Sequence, residues 1–256
     1  MPQDVITVEV DDTVAVVTLN RPDSLNSSNA DLHARLATIW GEVAAIDGLR
    51  AAVLTGAGPA FSAGGDFGFL DRMVRDRQLR EDVMAEAAEI VRAVIDFPLP
   101  LIAAVNGPAV GLGASLAGFA DLVVMAENAV LADPHVSLGL VAGDGSVMTW
   151  PMHMGLQRAK EWILLGGKMS AEEALRLGLA NRVVPSGEAL PQAVELAKRI
   201  AAMPPQSVRR TLHALDKPLR DLIDRNLTDV LADETQSFDE PEFQGNLERL
   251  VSRSHR

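Results

Sequence analysis

The sequence contains no cysteine among its 256 residues. This absence excludes disulfides, thiol nucleophiles and thiolate metal sites, and it is typical of proteins that work in a reducing compartment. The first residues, MPQDVITVEVDD, mix apolar and acidic side chains, whereas an export signal has a basic end followed by an apolar block. The sequence therefore predicts a cytoplasmic protein.

Uninterrupted apolar runs and positive charge are also scarce. The one long apolar stretch, residues 98–125, is broken by Asn106, Pro108 and Asp121, so it indicates buried strand, turn and helix rather than a membrane span. With 23 basic and 35 acidic residues the formal net charge is -12. Such a surface repels phosphate backbones, so nucleic acid is not an expected partner. An anionic small molecule remains compatible, because helix ends and a few basic side chains bind phosphate locally.

The residues that are present, 48% of them hydrophobic, suffice for a large core. Two apolar segments, 5–10 and 14–19, flank an acidic turn and predict a β-hairpin. Helical apolar spacing over 30–46 and a buried strand at 51–55 complete a β-α-β unit. The order continues with a helix at 80–96, a strand at 101–105, a helix at 112–119 and a strand at 122–125. This alternation predicts an α/β fold with parallel strands.

After Pro151 the pattern is mostly helical. Helices are predicted at 157–165, 170–178, 190–203, 205–215, 219–231 and 238–250. Ser170 with Glu173 forms a capping box, and Gly178 suits the C-terminal cap of the same helix. We therefore predict a core over residues 1–195 and a helical C-terminal region over residues 196–256.

Two glycine-rich loops, residues 57–67 and 106–117, each follow a predicted buried strand. Their glycines permit positive φ angles and remove side-chain bulk, which a site needs if backbone N–H groups are to stabilise an oxyanion. Ordinary tight turns explain the same spacing. A dinucleotide fingerprint is a rival interpretation, because Gly111 and Gly113 are followed by Asp133 twenty residues on, although Leu116 occupies the third glycine position.

Six segments, in order along the chain, resemble the crotonase, or enoyl-CoA hydratase/isomerase, superfamily. They are VTLNRPDSLNSSN (17–29), AFSAGGDF (60–67), AAVNGPAVGLGASLA (103–117), ADLVVMAENAVLADP (120–134), GLVAGDG (139–145) and LLGGKMSAEEALRLGLANRVVP (164–185). The resemblance implies a spiral core of repeated β-β-α turns and a helical C-terminal region that forms a trimer or a dimer of trimers. It also implies an acyl-CoA thioester substrate, with coenzyme A as part of the substrate and no separate cofactor.

The resemblance further implies that two backbone N–H groups hold the thioester oxygen while an enolate develops. By position these donors are Gly65 and Leu112, and Leu112 narrows the acyl pocket where the family usually has glycine. Substrate-binding positions implied in the same way are Ser27, Ala63, Asp66 and Gly111. The Asp66 side chain is also expected to cap the helix that begins near residue 67.

The sequence departs from the resemblance where hydratases of this superfamily hold water with two glutamates, because Ser115 and His135 stand at those positions. Hydration by a carboxylate pair therefore does not carry over directly. His135 can act as the base instead, with Asp144 on one ring nitrogen to orient the other. A Ser115, His135, Asp144 triad is a second hypothesis. Structural roles compete with both, since a loop histidine, a packing serine and a turn aspartate are common.

The His135 to Asp144 spacing resembles the oxocamphor hydrolase branch, in which a His and an Asp activate water to cleave β-diketones. Three hypotheses stay open: a hydratase-like lyase, a carbon–carbon bond hydrolase of β-diketones, and a non-catalytic acyl-CoA binding protein that has lost its glutamates. No metal site is predicted, because the remaining histidines are scattered singly at His33, His153, His213 and His255.

Overall fold

A computed structural model describes residues 4–254, so His255 lies outside the described residues. The larger sheet contains β1 (Ile6–Asp11), β2 (Val14–Leu19), β3 (Ala51–Gly56), β4 (Leu101–Val105), β6 (Leu122–Ala126) and β9 (Arg182–Val184), in that order across the sheet. The smaller sheet contains β5 (Ala109–Val110), β7 (Val130–Ala132) and β8 (Lys168–Ser170). Strand β1 is antiparallel to β2, and the remaining pairs of the larger sheet are parallel. The predicted hairpin and α/β fold are confirmed.

The helices lie between and after these strands. They are α1 (Ala30–Ala44), α2 (Phe67–Arg75), α3 (Arg77–Ile95), α4 (Leu112–Phe119), α5 (His135–Leu138), α6 (Ser146–Met154), α7 (Leu156–Leu165), α8 (Ala171–Leu177), α9 (Ala189–Ala201), α10 (Pro205–Ser237) and α11 (Pro241–Ser254). Within residues 4–254, none of these helices is long and apolar enough to cross a membrane.

Strands β3 and β4 form the centre of the core. Every residue of both strands is buried, as expected for strands of a parallel sheet that is covered on both faces. Helix α9 packs on β3, β4 and β6 and buries Ala189, Ala193, Ala197 and Ala201. Because these alanines recur every four residues, they form one face that lies close to the sheet. The predicted boundary at residue 195 falls inside this helix and stays a prediction.

Helix boundaries in the second half differ from the sequence prediction in two places. The predicted helices 205–215 and 219–231 are one continuous helix, α10, with Pro218 in its interior. Leu219, Leu222 and Ile223 pack on the main core, and this packing holds the helix together where the proline removes a backbone hydrogen bond. In addition, α6 begins at Ser146 and contains Pro151, whereas the sequence predicted helix only after that proline.

Predicted caps are mostly confirmed. The Ser170 side chain accepts a hydrogen bond from the Glu173 backbone N–H, and Gly178 adopts the left-handed conformation that ends α8. The reciprocal half of the capping box does not form, because the Glu173 carboxylate pairs with Arg176. Asp66 caps α2 by accepting from the Phe69 N–H at 3.1 Å.

Candidate active site

The two glycine-rich loops lie against each other beside the smaller sheet. The Val110 N–H donates to the Ser62 carbonyl at 2.9 Å. A Cβ atom on Gly113 would lie 2.8 Å from Ser62, and one on Gly64, whose φ is +86°, would lie 2.8 Å from the Val110 carbonyl oxygen. Glycine at these two positions therefore permits a backbone approach that a side chain would block.

Gly65 and Leu112 line a cavity of about 320 Å³ between these loops. Neither amide donates a hydrogen bond to any group in residues 4–254. Leu112 is the first residue of α4, and the N–H groups of a first helical turn have no partner within their helix and carry the positive end of its dipole. The two predicted oxyanion donors thus open onto one cavity.

The rest of the cavity is mainly apolar. Helices α2 and α3 line it with Phe69, Leu70, Met73, Val83, Met84, Ala87, Ile90 and Val91. Its polar and charged side chains are Ser28, His33, His135, Asp144 and Glu234. A pocket of this composition suits a small molecule that is mostly apolar and reacts at one end.

His135 is the first residue of α5 and is buried. Its Nδ1 atom lies 2.6 Å from the Asp133 Oδ1 atom, and its backbone N–H donates to the same oxygen at 3.1 Å. The Ser146 hydroxyl donates to the other Asp133 oxygen, Oδ2. Both carboxylate oxygens are therefore engaged, and the imidazole is held with Nε2 toward the cavity. Because both Asp133 oxygens are engaged in this way, the rival interpretation as a dinucleotide fingerprint is disfavoured.

Asp144 faces the other side of this imidazole. Its Oδ2 atom lies 3.7 Å from His135 Nε2, which is too long for a hydrogen bond. Its Oδ1 atom accepts a hydrogen bond from the Ser115 hydroxyl at 2.8 Å. The structure thus brings the three predicted residues together in a different order from the predicted triad: Ser115 contacts Asp144 rather than His135. Asp133, and not Asp144, holds the orienting ring nitrogen.

Glu234 is a member of the site that sequence reasoning missed. It comes from α10, is only 6% exposed, and places Oε1 4.0 Å from His135 Nε2. Its Oε2 atom has no hydrogen-bond partner in the part of the chain that the structure describes. No local pattern marks it, since it lies in an acidic stretch about a hundred residues after His135. Asp133 was also missed as an orienting group, although its position two residues before a histidine was a usable signal.

Three carboxylates around one imidazole shift the protonation of the cluster. Burial favours neutral His135, but Asp144, Asp133 and Glu234 outweigh it and raise the pKa of His135 to about 10. Burial, aided by the neighbouring acids, raises the pKa of Glu234 to about 8 and also raises the pKa of Asp144. Burial disfavours ionised Asp133 too, yet His135 and Ser146 bring the Asp133 pKa below its usual value. At neutral pH His135 is therefore an imidazolium beside a neutral Glu234.

The predicted substrate-binding positions lie at or next to this cavity. Ala63 and Gly111 line it, and the Ser27 carbonyl accepts a hydrogen bond from the Arg21 guanidinium. The Asp66 carboxylate caps α2 and lies 3.8 Å from the same guanidinium. Within residues 4–254, no group of three or more His, Asp or Glu side chains is arranged to hold a metal ion.

Comparisons with known proteins identify relatives of this chain. The profile of the family described as enoyl-CoA hydratase/isomerase matches residues 9–249. The crystal structure of an enoyl-CoA hydratase/isomerase from Mycobacterium paratuberculosis is 45% identical, with a TM-score of 0.93, over 96% of this chain and 98% of that one. The short-chain-enoyl-CoA hydratase of Clostridium acetobutylicum is 32% identical over 92% of this chain and 88% of its own length. A β-diketone hydrolase from the cyanobacterium Anabaena is 26% identical, with a TM-score of 0.85, over 92% of this chain and 94% of that one.

Proposed function

Because this chain belongs to the enoyl-CoA hydratase/isomerase family and is a hydratase-like enzyme of acyl-CoA thioesters, we propose that the Gly65 and Leu112 amides and the His135 cluster together catalyse addition of water to an enoyl-CoA. The observation that carries the proposal is that both unpartnered amides and the cluster line one cavity. The amides hold the thioester oxygen. They stabilise the negative charge that develops there as the enolate forms.

Asp144 and His135 divide the proton transfers in this proposal. The 3.7 Å gap between Asp144 Oδ2 and His135 Nε2 allows both atoms to reach one water and the substrate. Asp144 accepts a proton from the water whose oxygen adds to Cβ, and His135 Nε2 donates a proton to Cα as the enolate collapses. Transfer of the proton from Asp144 to His135 restores both groups. Since the pKa of His135 is about 10, it acts as the acid rather than as the base that the sequence suggested.

Substitution of Leu112 tests the amide donor. Proline is tolerated at the first position of a helix, where its missing N–H is not needed, so Leu112→Pro removes the donor and spares α4. Leu112→Ala keeps the amide and is the matched control. Loss of one oxyanion donor costs about a hundred- to a thousandfold in kcat. Hydration of short 2-enoyl-CoA thioesters is followed by loss of the conjugated absorbance, and equal rates in the two variants would contradict the role of the amide.

Two further assays distinguish the hydratase from a carbon–carbon hydrolase and from a non-catalytic binding protein. The native protein and His135→Ala are assayed with cyclic β-diketones, and acetyl-CoA binding is measured in parallel. Cleavage of a diketone that is lost in His135→Ala, without enoyl-CoA hydration, would replace the hydratase proposal with a carbon–carbon hydrolase. Tight thioester binding without either turnover would indicate a binding protein.

We also propose that the chain self-associates as a trimer or a dimer of trimers in the cytoplasm. An apolar groove of about 660 Å³ lies beside α6 and the first half of α10. It carries the exposed side chains Met152, Met203 and Leu215, which are 48%, 55% and 71% exposed. Apolar surface of this kind marks an interaction site. Analytical ultracentrifugation tests the proposal, because Leu215→Glu should dissociate the assembly and the exposed control Glu172→Gln should not.

A further inference from the structure

A second imidazole, His33 of α1, opens onto the same cavity and has no role in the hydration step. Its ring contacts Phe69, with 6.5 Å between ring centroids, and Phe69 belongs to the apolar wall formed by α2 and α3. His135 instead lies beside Gly111, where its Cε1 atom is 3.6 Å from the position of an added Cβ. His33 therefore lies at the apolar wall formed by α2 and α3, whereas His135 lies beside the segment that carries the oxyanion donor Leu112.

Glu86 of α3 fixes the tautomer of this second imidazole. The Glu86 Oε2 atom lies 2.9 Å from His33 Nδ1. A carboxylate only accepts hydrogen bonds, so Nδ1 carries the proton and Nε2 presents a lone pair. Burial lowers the pKa of His33, although Glu86 opposes this effect, and the ring is neutral at neutral pH. Among residues 4–254, the imidazole makes its hydrogen bond to Glu86 through Nδ1, and Nε2 makes none.

A second unpartnered polar group lines the cavity at Ser28. The residue is 4% exposed, and its hydroxyl has no partner within the described part of the chain. A buried hydroxyl without a hydrogen bond is destabilising, so a ligand that pairs with it is favoured. Apart from the His135 cluster, the cavity thus combines a free acceptor, His33 Nε2, with a free hydroxyl, Ser28 Oγ, among apolar side chains.

Resting on the proposed function, we infer that the physiological acyl chain carries a hydroxyl group beyond Cβ, and that His33, oriented by Glu86, selects it. A hydroxyl donates to the Nε2 lone pair and still accepts from a group such as Ser28. A carbonyl oxygen only accepts, so it would leave Nε2 unpaired. A carboxylate would meet the neutral imidazole of His33 with the acidic side chains of Asp144 and Glu86 nearby, which disfavours a further negative charge.

The test uses pairs of 2-enoyl-CoA thioesters of increasing length in which a terminal hydroxyl replaces a terminal methyl group. We expect the native enzyme to favour the hydroxylated member of at least one pair by about tenfold or more in kcat/KM, because a site built to bind a hydroxyl disfavours an analogue without it. In His33→Leu this ratio should fall to about one. His33→Gln, which retains a hydrogen-bonding group, should restore part of it.

Glu86→Gln tests orientation, because an amide can donate to Nδ1 and move the ring proton to Nε2. We expect Glu86→Gln to lower the ratio of kcat/KM between the hydroxylated and the methyl-terminated substrate. Glu89→Gln is the matched control, since it removes one carboxylate from an exposed position of the same helix, and its ratio should equal that of the native enzyme. A ratio near one for every pair in the native enzyme, or a ratio that survives in His33→Leu, would overturn the inference.

Calorimetry separates this inference from the proposed reaction. Binding of the saturated counterparts, hydroxyacyl-CoA and acyl-CoA of equal length, needs no turnover. If no enoyl-CoA is hydrated but the hydroxyacyl-CoA binds about tenfold more tightly and loses this advantage in His33→Leu, the proposed reaction is wrong and the selection of a hydroxyl stands. Equal Kd values for the pair overturn the selection, whatever the enzyme hydrates.

Discussion

The Nδ1 atom of His135 lies 2.6 Å from the Oδ1 atom of Asp133, two residues earlier in the chain. This contact leaves Nε2 as the only ring atom of His135 able to exchange a proton with a ligand. The Ser146 hydroxyl on the other Asp133 oxygen restrains the carboxylate, so the direction of Nε2 is set by a short segment between β7 and α6.

Asp133→Asn should therefore impair catalysis, although the asparagine side chain has nearly the same shape as aspartate. The carboxamide can donate to Nδ1, which favours the wrong tautomer, and the loss of a charge lowers the pKa of His135. We expect kcat for enoyl-CoA hydration to fall by about a hundred- to ten-thousandfold, as for other orienting carboxylates. Stopped-flow rates and the NMR titration of His135 are the measurements. An unchanged His135 titration would contradict the orienting role.

Ser115→Ala separates the observed contact from the predicted triad. Because Ser115 donates to Asp144, its loss removes one hydrogen bond to a charged group, which is worth about 1.5–3 kcal/mol. We expect kcat to fall by about ten- to a hundredfold and the Asp144 limb of the pH profile to move to higher pH. Mass spectrometry of the native enzyme during turnover checks the alternative, since an acyl ester on Ser115 would support the nucleophile.

Stability should decline from mildly acidic to alkaline pH. Glu234 has a pKa of about 8 in the folded protein against 4.5 ordinarily, so its protonated form contributes stability below pH 4.5 that is lost as the pH rises through 8. His135 has a folded pKa of about 10 against 6.5, and its contribution is lost between those values. Both groups thus lower the free energy of unfolding as the pH increases.

Glu234→Gln isolates the carboxylate part of this dependence. Urea unfolding at about pH 5 and about pH 8 should show a smaller loss of stability in the variant than in the native protein. Glu240→Gln, on the exposed turn before α11, is the control and should retain the native difference. If Glu234→Gln loses as much stability between the two pH values as the native protein, the raised pKa is contradicted.

Gly113→Ala should separate the two glycine-rich loops. The new Cβ would lie 2.8 Å from Ser62, and overpacking of this kind costs about 1–3 kcal/mol. We expect weaker thioester binding together with a lower Tm. Gly41→Ala, which meets nothing within 4 Å on the surface of α1, should instead stabilise by about 0.5–1 kcal/mol. Equal Tm values for the two variants would show that the loops tolerate separation.

The fold was predictable where the pattern was local. Strand β4 begins and ends at the predicted residues, as does α4, because an apolar run or a glycine turn marks both ends. The two-residue strand β5 was not predicted, since its pairing with β7 depends on residues 22 positions away. Pro218 misled the prediction because tertiary packing outweighs its cost in α10.

The candidate site was predictable only in part for a similar reason. His135, Asp144 and Ser115 were identified, and the structure places them together. Their hydrogen-bond order was not predicted, because it depends on side-chain directions that spacing does not specify. Asp133 was considered only as the acidic residue of the rival dinucleotide fingerprint. Glu234 reaches the cavity through the docking of a distant helix, and no pattern around it distinguishes it from its acidic neighbours.

The position of Glu234 on α10 also bears on when the enzyme becomes active during synthesis. The ribosome releases the segments that carry Gly65, Leu112, Asp133 and Asp144 before it releases α10, which begins at Pro205. A nascent chain that ends before α10 already contains the oxyanion loops. It still lacks Glu234, the third carboxylate beside His135, and the cavity-lining residues Phe238 and Leu250. Docking of the last helices therefore closes the cavity and adds the last of the carboxylates that raise the pKa of His135, so the site is complete only after α10 and α11 have been synthesised.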